Sequence, residues 1–427
     1  MVSIKNYFGT KIAFVFYLFI VTFSGFSFAT TTFTVCNQSC DFRDLHTALL
    51  NSKLNDGDSI EVSSSQTITS PVLIKKSIHL IGTNNPVLDG KGLSKMLYIL
   101  ASHVEVTGFI IKDSQISYLD DVSGIRVEAV TDVYIHHNKL INNAYGIYLA
   151  KSRNCRVEDN EIIGVNRGDT ESGNGIHIWS GKEHTIINNK LSKNRDGIYF
   201  EFVTDSKIEG NDSFNNSRYG LHFMFSHRNI YRHNRFTHNS AGVAVMYSKS
   251  ILMDNNEFSN SVGGGAYGLL LKEISLSEIK NNKFLNNSIG IYIEGTTKSH
   301  FMGNLFKNNA RALRILGNSD LNKLDGNIFL QNSFELATNS SVSNNFFEKN
   351  YWSKYSGYDL NGDGFGDVPH RPVTLSSILT ESINSSFIFI HSPLFFLLDS
   401  IESALPTFGP ENLLDKSPLM LPPVELP

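Results

Sequence analysis

The chain has 427 residues and a formal net charge of −4, with 37 lysines and arginines against 41 aspartates and glutamates. This length allows one large repetitive domain or two ordinary ones, with ample core for independent folding. Because the basic residues are scattered and the charge balance is slightly negative, nothing in the composition predicts a nucleic acid as a partner.

Residues 1–29 are predicted to form a cleaved secretory signal. Lys5 and Lys11 precede an apolar run, and Ser27 and Ala29 frame a small-x-small cleavage site. Downstream, the apolar stretch 387–398 is shorter than the roughly 18 to 20 residues that a membrane-spanning helix requires. We therefore expect an exported, soluble protein.

Two cysteines, Cys36 and Cys40, follow the predicted cleavage site. Export permits a disulfide between them, which is the favoured prediction, and a metal-binding pair is the alternative.

Residues 30–120 as a whole are predicted to form an N-terminal cap and the first coils, because 45–62 has the pattern of a short helix followed by a strand.

A repeat organises residues 121–350, where glycines followed by apolar residues recur mostly 22 or 23 residues apart. The glycines are Gly124, Gly146, Gly175, Gly197, Gly220, Gly242, Gly268 and Gly290. Fourteen residues after each stands an asparagine, namely Asn138, Asn160, Asn189, Asn211, Asn234, Asn256, Asn282 and Asn304. Two longer gaps hold the inserts 166–172 and 261–266, which are predicted to be loops. Three short apolar strands and one asparagine corner per turn predict an all-β fold: a parallel β-helix, assumed right-handed, with equivalent side chains about 4.8 Å apart.

Within each coil, the first and third residues after the glycine are apolar and are predicted to face the core. Cys155 lies at the same offset as apolar residues of other coils, so we predict a buried thiol. The second and fourth residues then face outward, because successive side chains of a strand point to opposite sides. On two neighbouring coils these outward residues include His222, Met224 and Met246.

His222, Met224 and Met246 are predicted to lie close together in water on the outer face. Thioether and imidazole ligands suit Cu(I), and they suit calcium or magnesium poorly. His177 and His227 are further candidate ligands nearby. The alternative is that the methionines cover hydrophobic surface or contact a docking partner.

Many β-helix proteins cleave polysaccharides with clustered carboxylates. The fourth residue after the glycine on successive coils is Glu128, Ala150, Trp179, Glu201, Met224, Met246, Lys272 and Glu294. No two acids are neighbours in this row, so a glycosidase or lyase is the less favoured function.

Residues 351–372 hold a loop rich in aspartate and glycine. Asp359, Asn361, Asp363 and Asp367 occupy positions 1, 3, 5 and 9 of a calcium-loop pattern. The pattern is incomplete, because His370 stands where a bidentate glutamate is expected. A calcium site and a structural turn that caps the open end of the solenoid are both compatible with this segment.

Residues 373–427 change character, with apolar residues at helical spacing followed by a proline-rich end. A partly helical tail is predicted after the cap. Such an apolar segment either packs back on the end of the solenoid or, as we favour, docks onto a membrane partner.

Five segments together resemble the NosD family of periplasmic nitrous oxide reductase maturation proteins: 196–201, 218–226, 242–248, 267–275 and 350–369. The resemblance extends over nearly the whole chain after residue 29. It implies a right-handed β-helix without enzymatic activity that resides in the periplasm and helps to insert copper into the copper-sulfide centre of nitrous oxide reductase.

The same resemblance implies a set of partners. They are an ABC transporter made of an ATPase and a permease, a copper-delivering lipoprotein and the reductase itself. By this resemblance the tail would seat on the permease, and the coil face would meet the lipoprotein and the reductase in turn.

Overall fold

The computed structural model describes residues 30–117, 120–165, 173–340, 343–382 and 413–423, together with 393, 397, 398 and 400. The predicted signal over 1–29, the insert 166–172 and most of the tail lie outside the described residues.

The described chain winds into a parallel β-helix of three sheets, which confirms the predicted all-β solenoid. Sheet 1 is formed by the strands Thr32–Val35, Ser59–Val62, His79–Gly82, Glu105–Thr107, Tyr134–His136, Arg156–Glu158, Thr185–Ile187, Lys207–Glu209, Ile230–Arg232, Leu252–Asp254, Glu278–Lys280, His300–Met302, Lys323–Asp325 and Phe346–Glu348. Sheet 2 is formed by Gln66–Thr67, Val87–Asp89, Ile110–Lys112, Lys139–Ile141, Glu161–Ile163, Lys190–Ser192, Asp212–Phe214, Arg235–Thr237, Glu257–Ser259, Lys283–Leu285, Leu305–Lys307, Ile328–Leu330 and Tyr351–Trp352. Sheet 3 is formed by Val72–Ile74, Leu97–Ile99, Ser123–Glu128, Tyr145–Ala150, Ile176–Lys182, Asp196–Thr204, Tyr219–Met224, Ala241–Met246, Leu269–Lys272, Ile289–Glu294, Arg311–Ile315 and Phe334–Thr338.

The N-terminal end is closed by a short helix, α1 (Leu45–Leu49), as the sequence predicted. The side chain of Asp44 caps this helix by accepting a hydrogen bond from the backbone N–H of Thr47 at 2.8 Å. Cys36 and Cys40 form the predicted disulfide beside it, with 5.8 Å between their Cα atoms.

The repeating glycines mark places where neighbouring coils approach too closely for a side chain. A Cβ atom on Gly146 would lie 2.4 Å from the carbonyl oxygen of Gly175, and one on Gly197 would lie 2.6 Å from the carbonyl oxygen of Gly220. Only glycine fits such a position without displacing the backbone of the next coil.

The asparagines at the corner form a continuous buried ladder along the solenoid. The side-chain oxygen of Asn256, for example, accepts hydrogen bonds at 3.0 Å from both the backbone N–H and the side-chain amide of Asn234. Beyond the predicted members, the ladder continues through Asn327 and Asn350. Each rung satisfies buried backbone groups of the next, which fixes the register of the coils.

Aromatic rings stack inside sheet 2. Phe236, Phe258, Phe284 and Phe306 stack in a row on consecutive coils, and Phe329 and Trp352 extend it. Cys155 is buried as predicted, and this burial raises the pKa of its thiol to about 11. A thiol with such a pKa stays protonated and unreactive at neutral pH.

The described C-terminal segments pair with the last strand of each of the three sheets. Val373, just before helix α2 (Leu375–Ser382), bridges Leu336 in the last strand of sheet 3. Asp415 bridges Phe347 in sheet 1, and Leu419 bridges Tyr351 in sheet 2. Covered edges cannot pair with another chain, so these described parts of the tail act as a cap.

Helix α2 is held on the solenoid by polar contacts as well. The carboxylate of Glu381 forms ion pairs with Arg311 at 3.2 Å and with Arg314 at 2.8 Å, and the hydroxyl of Ser377 donates to the carbonyl of Leu336 at 2.8 Å. Among the described residues, neither helix has the length and apolar character needed to cross a membrane. Docking of the tail onto a transporter stays a prediction.

Candidate functional site

The two outward methionines lie directly opposite each other on neighbouring strands of sheet 3. The register of Tyr219–Met224 and Ala241–Met246 pairs Met224 with Met246, as the repeat predicted. Residues paired in this way in a sheet are separated by about 4.8 Å, so both thioethers can reach one ion. Both side chains are half-buried, and Met246 also packs against a small outer apolar cluster.

His222 lies on the outer side of the same strand as Met224, but the prediction that it projects into water is wrong. The exposed fraction of the residue is 6%, because side chains of its own strand and the preceding strand pack around the imidazole. Tyr199 and Tyr219 flank it, with ring centroids 5.1 and 4.9 Å away.

The two ring nitrogens of His222 have different surroundings. Nδ1 lies 3.2 Å from Nη2 of Arg218 and 3.5 Å from a carboxylate oxygen of Asp196. Nε2 is buried and has no hydrogen-bond partner within the described chain. A buried imidazole nitrogen is normally satisfied, so this atom is the one available to an incoming ligand.

Asp196 was not singled out in the sequence, where it looks like part of an Asp-Gly turn. It is fully buried at the start of its strand and forms an ion pair with Arg218, whose Nε donates at 2.8 Å. Burial alone would raise the pKa of Asp196, but hydrogen bonds from Arg218 and His222 outweigh it and hold the pKa below its usual value. The ionised carboxylate therefore orients the imidazole, as the outer partners of metal-binding histidines do.

The two further candidate histidines are not brought together with the methionine pair. His177 lies two coils from His222, between Tyr148 and Tyr199, whose ring centroids are 4.4 and 4.7 Å away. Burial lowers the pKa of His177 to about 3. It is part of an aromatic row along the face rather than a neighbour of the sulfur atoms.

His227 lies past the corner that follows Met224. Its Nδ1 accepts a hydrogen bond from the backbone N–H of Lys249 at 3.2 Å. Partial burial, together with the charges of Lys249 and Arg228, lowers the pKa of His227.

The carboxylates of the predicted calcium loop are engaged by the loop itself. Asp359 accepts hydrogen bonds from the backbone N–H groups of Gly362 at 2.7 Å and Gly364 at 2.9 Å, and Asp367 accepts one from Leu360 at 2.6 Å. No three His, Cys, Asp or Glu side chains converge as metal ligands anywhere in the described ranges. Calcium binding by Asp359, Asn361, Asp363 and Asp367 stays a prediction.

The fold and these side chains define a parallel β-helix whose candidate site is built from soft ligands. The chain belongs to the periplasmic copper-binding protein (NosD) family, whose sequence profile matches residues 55–169 and 165–357, more than half of the chain.

Two relatives and one solved structure are similar to the chain. A probable ABC transporter binding protein NosD of Pseudomonas aeruginosa is 26% identical over 83% of this chain and 86% of its own. Its namesake of Stutzerimonas stutzeri is 25% identical over 79% and 81%. The catalytic unit of an α-1,3-glucanase from Streptomyces thermodiastaticus aligns with a TM-score of 0.53 at 13% identity, over 70% of this chain and 64% of its own. At that identity the likeness concerns the fold alone.

Proposed function

We propose that this protein is a periplasmic accessory component of an ABC transporter, and that it accepts and hands over Cu(I) for maturation of the copper-sulfide centre of nitrous oxide reductase. Family membership supports the periplasmic location and the binding of copper. The names of the two relatives support the association with a transporter. The observation that carries the proposal for this chain is the registered pair Met224 and Met246, on the same strand face as His222, whose Nε2 has no hydrogen-bond partner among the described residues.

The residues present fit Cu(I) as a transferred substrate. Two thioethers and one imidazole nitrogen form a neutral, soft ligand set, which favours Cu(I) over hard cations. The methionines are half-buried on an outer face, so a partner can reach the ion. The Asp196 carboxylate, itself paired with Arg218, lies 3.5 Å from Nδ1 of His222, so it can accept the Nδ1 proton and leave Nε2 free to bind the ion.

The partners are proposed with the function. They are the transporter ATPase and permease, a copper-chaperone lipoprotein and the reductase. Transport to the periplasm would use residues 1–29 as the signal. We propose that the tail segment between α2 and residue 413 contacts the permease.

The experiment that tests copper binding is a titration of the purified protein with Cu(I) against a competing chelator. Met224→Leu combined with Met246→Leu keeps the apolar volume and removes both sulfur atoms, so we expect an unchanged fold and a loss of Cu(I) affinity of about 100-fold. Met302→Leu is the matched control, because Met302 is an exposed methionine on sheet 1, away from the site. Equal affinity in the double variant and the control would remove this site from consideration.

Two other functional classes make different predictions. A docking scaffold without metal would bind its partners while purified protein contains no copper. A polysaccharide-acting enzyme would release reducing ends or unsaturated products from a glycan. Copper analysis and a product assay on the same preparation distinguish all three classes.

A further inference from the structure

Three aromatic side chains form an exposed stack on the corner after the methionines. Phe202, Phe225 and Tyr247 lie on consecutive coils, and their ring centroids are 5.3 and 5.1 Å apart with interplanar angles of 13° and 11°. Their exposed fractions are 49%, 39% and 42%. We call this set the aromatic ridge. Because the rings stack on each other, their edges project into solvent over about 10 Å, two coil spacings.

The backbone of the ridge is unfavourable for aromatic residues. Phe202, Phe225 and Tyr247 have φ values of 55°, 49° and 50°, in the left-handed region. This region costs an L-residue with a bulky side chain on the order of 1 kcal/mol, and asparagine or glycine adopts it more easily. The equivalent corner is Ser180 on the coil before the ridge and Glu273 on the coil after it. These aromatic side chains thus leave 39 to 49% of their surface exposed at positions where the backbone conformation disfavours them, which indicates a role outside the fold.

The ridge adjoins the proposed copper site. Phe225 follows Met224 directly in the chain, and Tyr247 follows Met246. On the other side of the ridge lie basic or ionisable side chains, with Lys249 exposed and His227 partly exposed. One coil earlier than the ridge, Lys182 is exposed in the same row.

We propose that the aromatic ridge is the docking surface for the protein that exchanges Cu(I) with Met224 and Met246, and that this partner presents an apolar groove bordered by carboxylates. The choice of a copper-exchanging partner rests on the proposed function. A folded protein is favoured over a lipid surface because the rings are held rigidly by stacking, which suits a shaped groove and brings no advantage in a fluid bilayer. The basic side chains along one flank complement an acidic rim on the partner.

The test uses the mature protein carrying Phe202→Asn, Phe225→Asn and Tyr247→Asn. Asparagine adopts the left-handed backbone conformation at a lower cost than an aromatic residue, so we expect an unchanged or higher melting temperature. Binding of the copper-loaded soluble domain of the chaperone lipoprotein, measured by biolayer interferometry, is expected to weaken by at least about tenfold, as for loss of aromatic anchors. The Cu(I) affinity of the variant measured with a chelator should equal that of the unsubstituted protein.

The matched control is Leu276→Asn with Leu321→Asn. These leucines are also exposed and have φ values of 54° and 57°, but they lie on another corner row. The single variant Phe225→Asn provides a milder change if the triple variant does not fold. Unchanged lipoprotein binding in a folded ridge variant overturns the proposal. The proposal is also overturned if the variant keeps lipoprotein binding but loses binding to anionic vesicles or self-association. Failure of the copper site itself would show in the methionine double variant, which keeps the ridge.

Discussion

The carboxylate of Asp415 terminates the asparagine ladder at Asn350. Its Oδ2 accepts hydrogen bonds at 2.9 Å from both the backbone N–H and the side-chain amide of Asn350, and at 3.0 Å from the indole N–H of Trp352. Its Oδ1 accepts from the backbone N–H groups of Lys349 and Ser417. The side chain of Asp415 thus accepts the hydrogen bonds of Asn350, in the place where each earlier asparagine of the ladder has the next asparagine as its acceptor.

We expect Asp415→Asn to destabilise the fold strongly, although the substitution changes only one atom of the side chain from oxygen to nitrogen. Whichever way the new amide turns, its NH₂ group faces N–H donors, and a buried donor is left unsatisfied. The free energy of unfolding should fall by about 2 to 3 kcal/mol, which guanidinium unfolding can measure. Glu348→Gln removes an exposed carboxylate at the same end of the solenoid and should change stability by less than about 0.5 kcal/mol. Similar losses in the two variants would contradict the ladder's dependence on Asp415.

The sequence predicted the solenoid well because its repeat is a physical consequence of coil stacking. The spacing of Asn234 and Asn256 determines which residues share a row, and the observed ladder follows it. The cap could not be predicted in the same way, because Asp415 replaces an asparagine from 65 residues further along the chain and belongs to no repeat.

The candidate site shows the same limit. Alternation along a strand places Met224 and Met246 on one face, and the pairing agrees. It does not predict exposure, because exposure depends on the size of neighbours from adjacent coils. His222 is covered by Tyr199, Tyr219 and the ion pair of Asp196 with Arg218. Only the folded structure shows that Nε2 of His222 has no hydrogen-bond partner among the described residues.

A buried imidazole should make the protein sensitive to mild acid. Burial lowers the pKa of His184 to about 4 from its ordinary 6.5. Between these values the unfolded chain binds a proton that the native state does not, so stability falls as the pH drops from about 6.5 towards 4. His184→Asn should reduce the slope of this part of the dependence, and His177, whose pKa is lowered to about 3, should account for part of the remainder. Asparagine fits this position, because Asn229 occupies the same corner row two coils later. Urea unfolding at several pH values measures the effect, with exposed His233→Asn as the control that should leave the slope unchanged.

The loop around Asp359 should keep its conformation without a cation. Its carboxylate already accepts backbone N–H groups of Gly362 and Gly364, which favours the structural-turn alternative. We expect less than about 2 °C change in melting temperature between excess EDTA and millimolar calcium. Asp359→Ala should lower stability by about 1 kcal/mol in both conditions. A calcium-dependent rise in the melting temperature that Asp359→Ala abolishes would instead establish a calcium site.

The buried ion pair behind His222 offers the sharpest test of how the imidazole is held. Asp196→Asn keeps the shape of the side chain and removes the charge that orients Nδ1, so the outer support of the proposed ligand is weakened while both sulfur atoms remain. Loss of such a partner typically lowers metal affinity by about 10- to 100-fold, and a chelator competition titration should show a loss in this range.

Asp205→Asn is the control, because Asp205 pairs with Arg228 by hydrogen bonds of 2.7 and 2.8 Å but lies exposed on the neighbouring corner. X-ray absorption of the loaded protein adds a readout that stability does not affect, since nitrogen scattering at the copper should decrease in Asp196→Asn alone. If both variants bind Cu(I) equally and with the same ligand signature, His222 is not a ligand, and the methionine pair alone would hold the ion.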